Sequence, residues 1–434
     1  PPRSTLFPYT TLFRSSFSFR FTFEELLDYL GLKIEFEGKI HEVITQRIKS
    51  KPYNVLEASC PYRAIINRGA HWNPHNNSYF MTIGYMTYLL NDMISFQAIN
   101  KNASYGHIHK LGFHIPKTMA LPQQDYTHIK RNPRVNHDLV FSEHEFFDME
   151  SIGREIGYPA FLKPQSGGGW VGVCLVDNYE ELLLAYSRSG ERPMNLQKAI
   201  HYREFIRCLG IGPQINSMHY NPKAEMVHDR YLRNEYQAVE FGFLDPEVEK
   251  EVKKICKIIN AFYKWDHNSC ETLLGYDGKC YLIDFANAYP DSTLVSLHFH
   301  FPWIVRSMAK WLIFCAVTGR RKSFNFAQDW HEYFEISERA DLSYDQKLVL
   351  YERLADKYFD TENFERFCRE KLRDFDEKTL EFFSSSRFDY IVEKEIEYYF
   401  KLPEERPKKL DHYKGIHKFW VHCEQERLKK GKNG

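Results

Sequence analysis

The sequence lacks the features that mark several large classes of protein. Its 434 residues carry 58 basic and 58 acidic side chains, so no net charge attracts nucleic acid or an anionic membrane. Its nine cysteines form no C-x-x-C pair, which argues against a zinc ribbon and favours reduced thiols. The most apolar stretch, Phe301–Thr318, contains Arg306 and Lys310 and is too short to span a bilayer. We therefore expect a cytoplasmic protein without a nucleic-acid or membrane partner.

The length allows two or three domains with sizeable cores. Residues 1–15, PPRSTLFPYTTLFRS, read as the translation of a sequencing-adapter oligonucleotide, and we expect them to be foreign to the natural chain. Residues 16–100 alternate strand-like and helical runs, which indicates an α/β lead-in domain. The alternation continues over residues 101–320, divided near residue 200, and residues 321–434 have helical spacing and heavy charge. The predicted fold class is α/β (α+β) with a helical C-terminal region.

The glycine run in FLKPQSGGGWVGV, residues 161–173, satisfies G-x-G-x-x-G through Gly167, Gly169 and Gly172. The residues that follow predict a strand, whereas a dinucleotide fingerprint needs a helix there. No Gly-Lys-Ser/Thr follows, which excludes a P-loop. The next strand carries no lysine and no His-Arg-Asp motif is present, which excludes a protein kinase. The distinctive feature is Lys163, which lies before the glycines on a predicted strand.

A second constellation lies in the predicted hairpin ETLLGYDGKCYLID. Asp277 and Gly278 favour a two-residue type I′ turn, and counting outward from it sets Glu271 opposite Asp284, with Cβ atoms roughly 5 Å apart. Facing carboxylates destabilise a sheet unless a cation neutralises them, so the pair predicts a site for a hard divalent cation, with Asn287 as an amide ligand. The alternative is a solvated acidic pair with Asp284 as a helix cap.

A strand lysine, a glycine-rich loop and paired carboxylates together resemble the ATP-grasp superfamily, over roughly residues 95–320. The resemblance implies an ATP-grasp fold that holds ATP between two α+β subdomains, together with Mg²⁺ or Mn²⁺. It implies metal ligation by Glu271, Asp284 and Asn287. It implies nucleotide contacts from two lysines, the loop and a hinge segment: Lys101, Lys163, Ser166, Gly167, Gly168, Gly169, Gln197, Lys198, Ile200 and Glu204.

The resemblance has three departures. Asp284 replaces the second glutamate of the family pattern, and Asn287 sits one position late. Ser269 stands where an arginine often precedes the first metal ligand. We expect Arg207 or Arg230 to supply that catalytic positive charge instead.

The activity that the resemblance implies is ligation of a carboxylate to an amine or thiol through an acylphosphate. Its partners would be a small-molecule or peptide carboxylate and an amine acceptor. Two alternatives stay open, namely an ATP-grasp phosphotransferase and a non-catalytic ATP-binding regulator.

Two segments contain the candidate substrate-binding residues. In NRGAHWNPHNNSYF, Arg68 and His71 are candidate substrate-binding residues, because an arginine can hold a carboxylate through two hydrogen bonds. The alternative for this segment is a structural, hydrogen-bonded loop. We expect SLHFHFPW to form a core-lining turn. The alternative is that His298 and His300 alternate as on a strand and face the acceptor pocket.

Overall fold

The computed structural model describes residues 17–69, 73–97, 100–127, 133–134, 136, 147–167, 171–224, 226, 229–231, 243–287 and 289–432. Helices and strands are numbered in chain order through these residues. The chain forms two compact units. Unit 1 comprises Pro1–Ala98, Ile206–Cys270 and Asn287–Gly434, and unit 2 comprises Ile99–Phe205 and Glu271–Ala286.

The elements before residue 99 belong to unit 1. Helix α1 (Phe17–Leu30) precedes the antiparallel hairpin of β1 (Lys33–Phe36) and β2 (Lys39–Glu42). Strands β3 (Ala64–Ile66) and β4 (Tyr88–Leu90) pair in parallel, and the segment also contains helices α2 (Pro74–Ile83) and α3 (Met93–Gln97). A small apolar core with Ile65, Ile83 and Leu89 joins β3, β4, α2 and α3.

Unit 2 is built around a four-stranded sheet with the order β5-β8-β6-β7. Its elements are α4 (Lys101–Lys110), β5 (Thr118–Leu121), α5 (Met149–Ile156), β6 (Ala160–Pro164), β7 (Cys174–Val176), α6 (Tyr179–Ser187) and β8 (Met194–Lys198). Leu162 and Leu196 project from one face of the sheet into an apolar core that also takes Ile156 from α5 and Leu182 from α6. The core therefore covers one face of this sheet.

A second four-stranded sheet has the order β10-β9-β11-β12. It contains β9 (Tyr202–Ile211), β10 (Gln214–His219), β11 (His267–Gly275) and β12 (Cys280–Asn287), and α7 (Pro246–Phe262) lies between β10 and β11 in sequence. The division between the two units falls inside β9, β11 and β12.

The described residues after β12 are predominantly helical. They form α8 (Leu294–Leu297), a 3₁₀ turn (His298–His300), α9 (Phe301–Thr318), α10 (Phe326–Glu338), α11 (Tyr344–Phe359), α12 (Thr361–Lys371), α13 (Phe375–Phe383), α14 (Ser386–Tyr399), a 3₁₀ turn (Pro403–Glu405) and α15 (Arg406–Lys432). The predicted mixture of helix and sheet with a helical C-terminal region is confirmed. The turn expected in SLHFHFPW is confirmed by the 3₁₀ turn, in which His298 and Phe299 are buried, and the alternative of a strand at His298 and His300 is wrong. No helix within the described ranges is long and apolar enough to cross a membrane.

Candidate functional site

One face of the unit 2 sheet is polar. The strand register sets Lys163 opposite Asn195, and Gln197 opposite both Phe161 and Thr118. Residues directly opposite each other in an antiparallel pair project from the same face, so these five side chains share one face. The apolar core covers the other face. Strand alternation thus places Lys163 and Gln197 on what we call the polar face.

Helix α4 carries two further side chains of this site. It begins after Asn100, whose side chain caps the helix by accepting a hydrogen bond from the backbone N of Asn102 at 2.9 Å. Lys101 and Tyr105 are four residues apart and therefore lie on the same side of the helix. Asn195 Nδ2 donates to Asn102 Oδ1 at 2.6 Å, which connects α4 to the polar face.

Lys163 is held by three neutral oxygen atoms. Its Nζ donates to Gln197 Oε1 at 2.7 Å, to Tyr105 Oη at 2.8 Å and to the backbone O of Ile283 at 3.3 Å. The Tyr105 hydroxyl donates to the same Ile283 carbonyl at 2.5 Å, and Gln197 Nε2 donates to Thr118 Oγ1 at 2.7 Å. These contacts fix the position of the Lys163 ammonium without neutralising its charge.

The electrostatic surroundings follow from this arrangement. Burial, reinforced by the positive charge of Lys101, lowers the pKa of Lys163 to about 8, although Asp284 and Glu271 oppose the shift. Burial raises the pKa of Tyr105 well above its usual value, and Asp284 and Glu271 add to the increase. A lysine with this pKa favours an anionic ligand, because a nearby negative charge restores the protonated form.

The two predicted metal carboxylates lie at this site. Lys101 Nζ is 3.3 Å from Asp284 Oδ2, and the two side chains are 16% and 37% exposed. Glu271 is buried on β11, and its charge acts on both Lys163 and Tyr105. The structure therefore brings together four of the charged residues that the sequence singled out.

The turn between β11 and β12 differs from the expected one. Gly278 N donates to Gly275 O at 3.0 Å and Gly275 N donates to Lys279 O at 2.9 Å. Of the two central residues expected for a type I′ turn, Gly278 has a positive φ and Asp277 does not, so that assignment is wrong. A regular ladder continued from the Gly275–Lys279 pair would set Glu271 opposite residue 283, one position away from the expected partner.

Strand β12 is not regular at this point. Leu282 and Phe285 are buried, and the two residues between them are half-buried, so the alternation changes phase. The carbonyl of Ile283 accepts hydrogen bonds from the side chains of Lys163 and Tyr105. Asp284 lies in this irregular part of the strand, where its Oδ2 contacts Lys101 Nζ.

Both carboxylates suit Mg²⁺, which proteins commonly bind through one or two carboxylates together with substrate phosphate oxygens. Among the described residues, no group of three or more His, Cys, Asp and Glu side chains is placed to hold a metal ion. Two carboxylates alone leave most positions around Mg²⁺ to other oxygen ligands, such as water and substrate phosphates.

Asn287, the third predicted ligand, is the last residue of β12 and belongs to unit 1. Its backbone N donates to Asn268 Oδ1 at 2.8 Å and its Nδ2 donates to Ser269 Oγ at 3.0 Å. The nitrogen of the side-chain amide is therefore engaged within unit 1, and the oxygen is the atom that remains for ligation.

The glycine loop is described in part. Ser166 and Gly167 are exposed, and Gly167 has a φ of 112°, a conformation that side chains other than glycine rarely adopt. Gly168 and Gly169, predicted to cover the phosphates, lie outside the described residues.

The predicted hinge residues lie at the end of β8 and in the residues after it. Lys198 Nζ donates to the backbone O of Tyr158 at 2.7 Å, and Ile200 and Glu204 are half-buried. Gln197 has a role that the sequence did not indicate, since its oxygen accepts from Lys163. The sequence did not indicate Tyr105, which lies four residues after Lys101 and therefore on the same side of α4.

The remaining predicted residues lie in unit 1. Arg207 Nη1 donates to Tyr231 Oη at 2.8 Å, and Arg230 Nη1 donates to Tyr220 Oη at 3.3 Å. Arg207 also stacks over the Tyr220 ring, with Cζ 4.5 Å from its centroid. The two arginines thus form one cluster with two tyrosines.

Arg68 is held by neutral groups. Its Nη2 donates to the backbone O of Pro290 at 2.7 Å, and its Nη1 lies 3.3 Å from His267 Nδ1. Burial lowers the pKa of Arg68 to about 10, against the opposing charge of Asp291. His71 lies outside the described residues.

Comparison with known proteins gives limited sequence similarity. No family profile matches the chain. A D-alanine–D-alanine ligase of Thermoanaerobacter sp. (strain X514) is 27% identical over 135 residues, which cover 28% of this chain and 36% of the relative. One from Prochlorococcus marinus (strain AS9601) is 26% identical over 149 residues, covering 30% and 41%. The matched part thus spans little more than a third of these curated relatives.

Solved structures show weak overall similarity. A RiPP-associated ATP-grasp ligase of Chryseobacterium gregarium, in complex with ADP and a leader and core peptide, has a TM-score of 0.43 and 14% identity, covering 69% of this chain and 95% of its own. A D-Ala:D-Ser ligase of Enterococcus faecalis has a TM-score of 0.36 and 14% identity, covering 64% and 68%. The partial sequence similarity to D-alanine–D-alanine ligases agrees with the resemblance to ligases that the sequence motifs indicate.

Proposed function

We propose that this chain is an ATP- and Mg²⁺-dependent ligase that joins a carboxylate to an amine through an acylphosphate intermediate. The observation that carries the proposal is the Lys163 ammonium, fixed by three neutral oxygens close to Lys101, Glu271 and Asp284. Two lysine side chains and two carboxylates close together suit a nucleoside triphosphate and its metal ion.

In this proposal Lys163 and Lys101 bind phosphate oxygens of ATP. Asp284, which contacts Lys101, and Glu271 would hold the metal ion. The bound metal would neutralise charge on the phosphates. Gln197 and Tyr105 keep the Lys163 ammonium in place, so little side-chain ordering is required when the nucleotide binds.

The proposed reaction has two steps. An oxygen of the substrate carboxylate attacks the γ-phosphorus, the bond to the β-phosphate oxygen breaks, and ADP is released from the transferred group. The amine nitrogen then attacks the acyl carbon, the carbon–oxygen bond to phosphate breaks, and the nitrogen loses a proton to solvent. The products are an amide, ADP and inorganic phosphate.

The experiment that tests this is release of ADP and phosphate by the full chain with Mg²⁺, screened over amino acids and short peptides. The proposal expects phosphate release that requires both an acid and an amine. A stable phosphorylated product would identify a phosphotransferase instead. Tight ATP binding without turnover by any pair of substrates would identify a regulator.

A matched pair of variants tests the site itself. Asp284→Asn keeps the size of the side chain and removes its charge, and we expect it to raise the Mg²⁺ concentration needed for ATP binding. The control is Asp277→Asn on the exposed turn, which removes the same charge away from Lys101 and Lys163. An equal effect of both variants on the Mg²⁺ requirement would contradict the assignment of Asp284.

A further inference from the structure

Unit 1 contains a cavity of about 360 Å³ that the proposed ATP site does not use. It is lined by β10, by residues 243–244, by the first turns of α7, by His300 and the start of α9, and by the C-terminal half of α15. Its volume lies within the range of roughly 300–1,000 Å³ that is usual for small-molecule sites. All of these residues belong to unit 1.

Part of the cavity wall is aromatic. Among the described residues, five phenylalanine, tyrosine and tryptophan side chains from four different parts of the chain line it: Tyr231, Phe243, Phe299, Trp303 and Trp420. Flat apolar walls favour a ligand with an aromatic body, because ring pairs gain both buried area and favourable edge or offset contacts.

The polar groups that line the cavity include two hydrogen-bond donors. Arg207 Nη1 donates to Tyr231 Oη at 2.8 Å, so the tyrosine oxygen is already an acceptor and its proton is available to a ligand. Asn216 Nδ2 lies 3.2 Å from His300 Nδ1 and can only donate, so the histidine carries its proton on Nε2. The Tyr231 and His300 rings are edge to face, with centroids 6.3 Å apart.

The carboxylates of the cavity already have partners. Glu249 receives Lys253 Nζ at 2.5 Å and Ser217 Oγ at 2.7 Å. Glu424 receives Arg306 Nη1 at 2.5 Å and lies 3.5 Å from Arg427. These contacts neutralise both acids, so they do not favour a cationic ligand, whereas the two donors favour a ligand with an anionic oxygen.

We propose that this cavity binds an aromatic carboxylic acid, with its ring among the aromatic walls and its carboxylate accepting hydrogen bonds from Tyr231 and His300. The acid is either a free small molecule or the C-terminal residue of a peptide, since the two present the same chemistry. This site does not depend on the proposed ligase activity.

The test is titration calorimetry on the full chain with indole-3-propionate and with its uncharged amide. We expect the acid to bind at least about tenfold more tightly than the amide, since a hydrogen bond to a charged group is roughly twice as strong as a neutral one. Absence of binding by the acid, or equal affinity for acid and amide, would overturn the proposal.

Variants localise the binding. Tyr231→Phe keeps the ring and removes the donor, and we expect it to weaken binding of the acid about tenfold while leaving binding of the amide nearly unchanged. The control is Tyr276→Phe, whose ring is 77% exposed. His300→Phe removes the second donor independently, so an unfolded Tyr231 variant does not end the test. Unchanged affinity for the acid in a folded donor variant would contradict the site.

A second titration, with peptides, identifies the source of the ligand. Tighter binding of an acetylated dipeptide ending in tryptophan than of acetyl-tryptophan supports a peptide C-terminus, and the reverse order supports a free acid. ATP titrations on the same samples report the nucleotide site separately, so failure of one proposal leaves the other measurable.

Discussion

Two largely buried lysines, one in each unit, have opposite surroundings. Lys163 in unit 2 has three neutral oxygen partners, and no acidic side chain of the described residues lies within 4 Å of it. Lys322 in unit 1 contacts Asp266 and lies 3.1 Å from Asp92. Burial lowers the pKa of Lys163 to about 8, whereas at Lys322 the two aspartates outweigh burial and the pKa is raised.

This difference in counter-ions distinguishes a lysine that stabilises the fold from one that is suited to bind a ligand. The charge of a buried cation with its own counter-ions is neutralised within the fold. Such a cation stabilises the fold by neutralising the buried carboxylates in return. The charge of a buried cation held by neutral atoms is not neutralised within the fold, and a bound phosphate can neutralise it. The same residue type therefore serves stability in unit 1 and, in our proposal, ligand binding in unit 2.

The largest expected effect on stability is at Lys322. Lys322→Met leaves Asp92 and Asp266 buried without their cation, and we expect a loss of about 3–5 kcal/mol in the free energy of unfolding. Urea denaturation at pH 7 measures it. The control is Lys250→Met on the exposed side of α7, which should change stability by less than about 0.5 kcal/mol. Similar unfolding curves for the two variants would contradict the stabilising role of Lys322.

The largest expected effect on binding is at Lys163. Lys163→Met should weaken ATP binding about 10- to 100-fold, because hydrogen bonds to charged groups contribute roughly 1.5–3 kcal/mol. Calorimetry with ATP and Mg²⁺ measures it. We expect the fold to be no less stable, since the variant removes a buried charge without a counter-ion. Unchanged ATP affinity would defeat the assignment of this lysine.

The pH dependence of ATP affinity sharpens the comparison. The pKa of free Lys163 is about 8, and bound phosphate raises it, so binding above pH 8 requires uptake of a proton. Affinity should therefore be flat from pH 7 to 8 and fall above it, by at most about tenfold per pH unit. Lys163→Met should abolish this fall. A wild-type profile that stays flat up to pH 9.5 would contradict it.

The same shift predicts an effect on stability with pH. The folded-state pKa of Lys163 lies below its usual value of 10.5, so the charged form destabilises the fold. This destabilisation is fully present below about pH 8 and disappears as the pH rises towards 10.5. Thermal unfolding of wild type and Lys163→Met should thus differ most near pH 7 and converge at high pH. A difference that grows with pH would have the wrong sign.

The smallest expected effect is at Tyr105. Tyr105→Phe keeps the buried ring and removes the hydroxyl that contacts Lys163 and Ile283, so ATP affinity should fall about three- to tenfold. The midpoint of the pH profile should move below 8, because the ammonium loses an acceptor. Tyr276→Phe serves as the exposed control. A loss of affinity without movement of the midpoint would indicate a purely structural role.

The sequence predicted those parts of the site that depend on local pattern. Lys163 lies on a short strand before the glycines, as expected, because strand alternation is encoded within a few residues. The turn at Gly278 was misjudged, since one residue's φ separates a type I′ turn from the bulged alternative. The contacts of Tyr105 and Gln197 with Lys163 were not predictable, because they join segments distant in sequence.

Unit 2 consists of two segments that are separated in sequence, and this has a consequence for synthesis of the protein on the ribosome. Residues 99–205 emerge from the ribosome with both lysines, but Glu271, Asp284 and the Ile283 carbonyl follow only after residues 206–270 of the other unit. Closing that long loop is entropically cheap per added residue, yet it delays completion. A nascent chain stalled at residue 205 would contain the two lysines without the carboxylates, so in our proposal nucleotide binding becomes possible only late in synthesis.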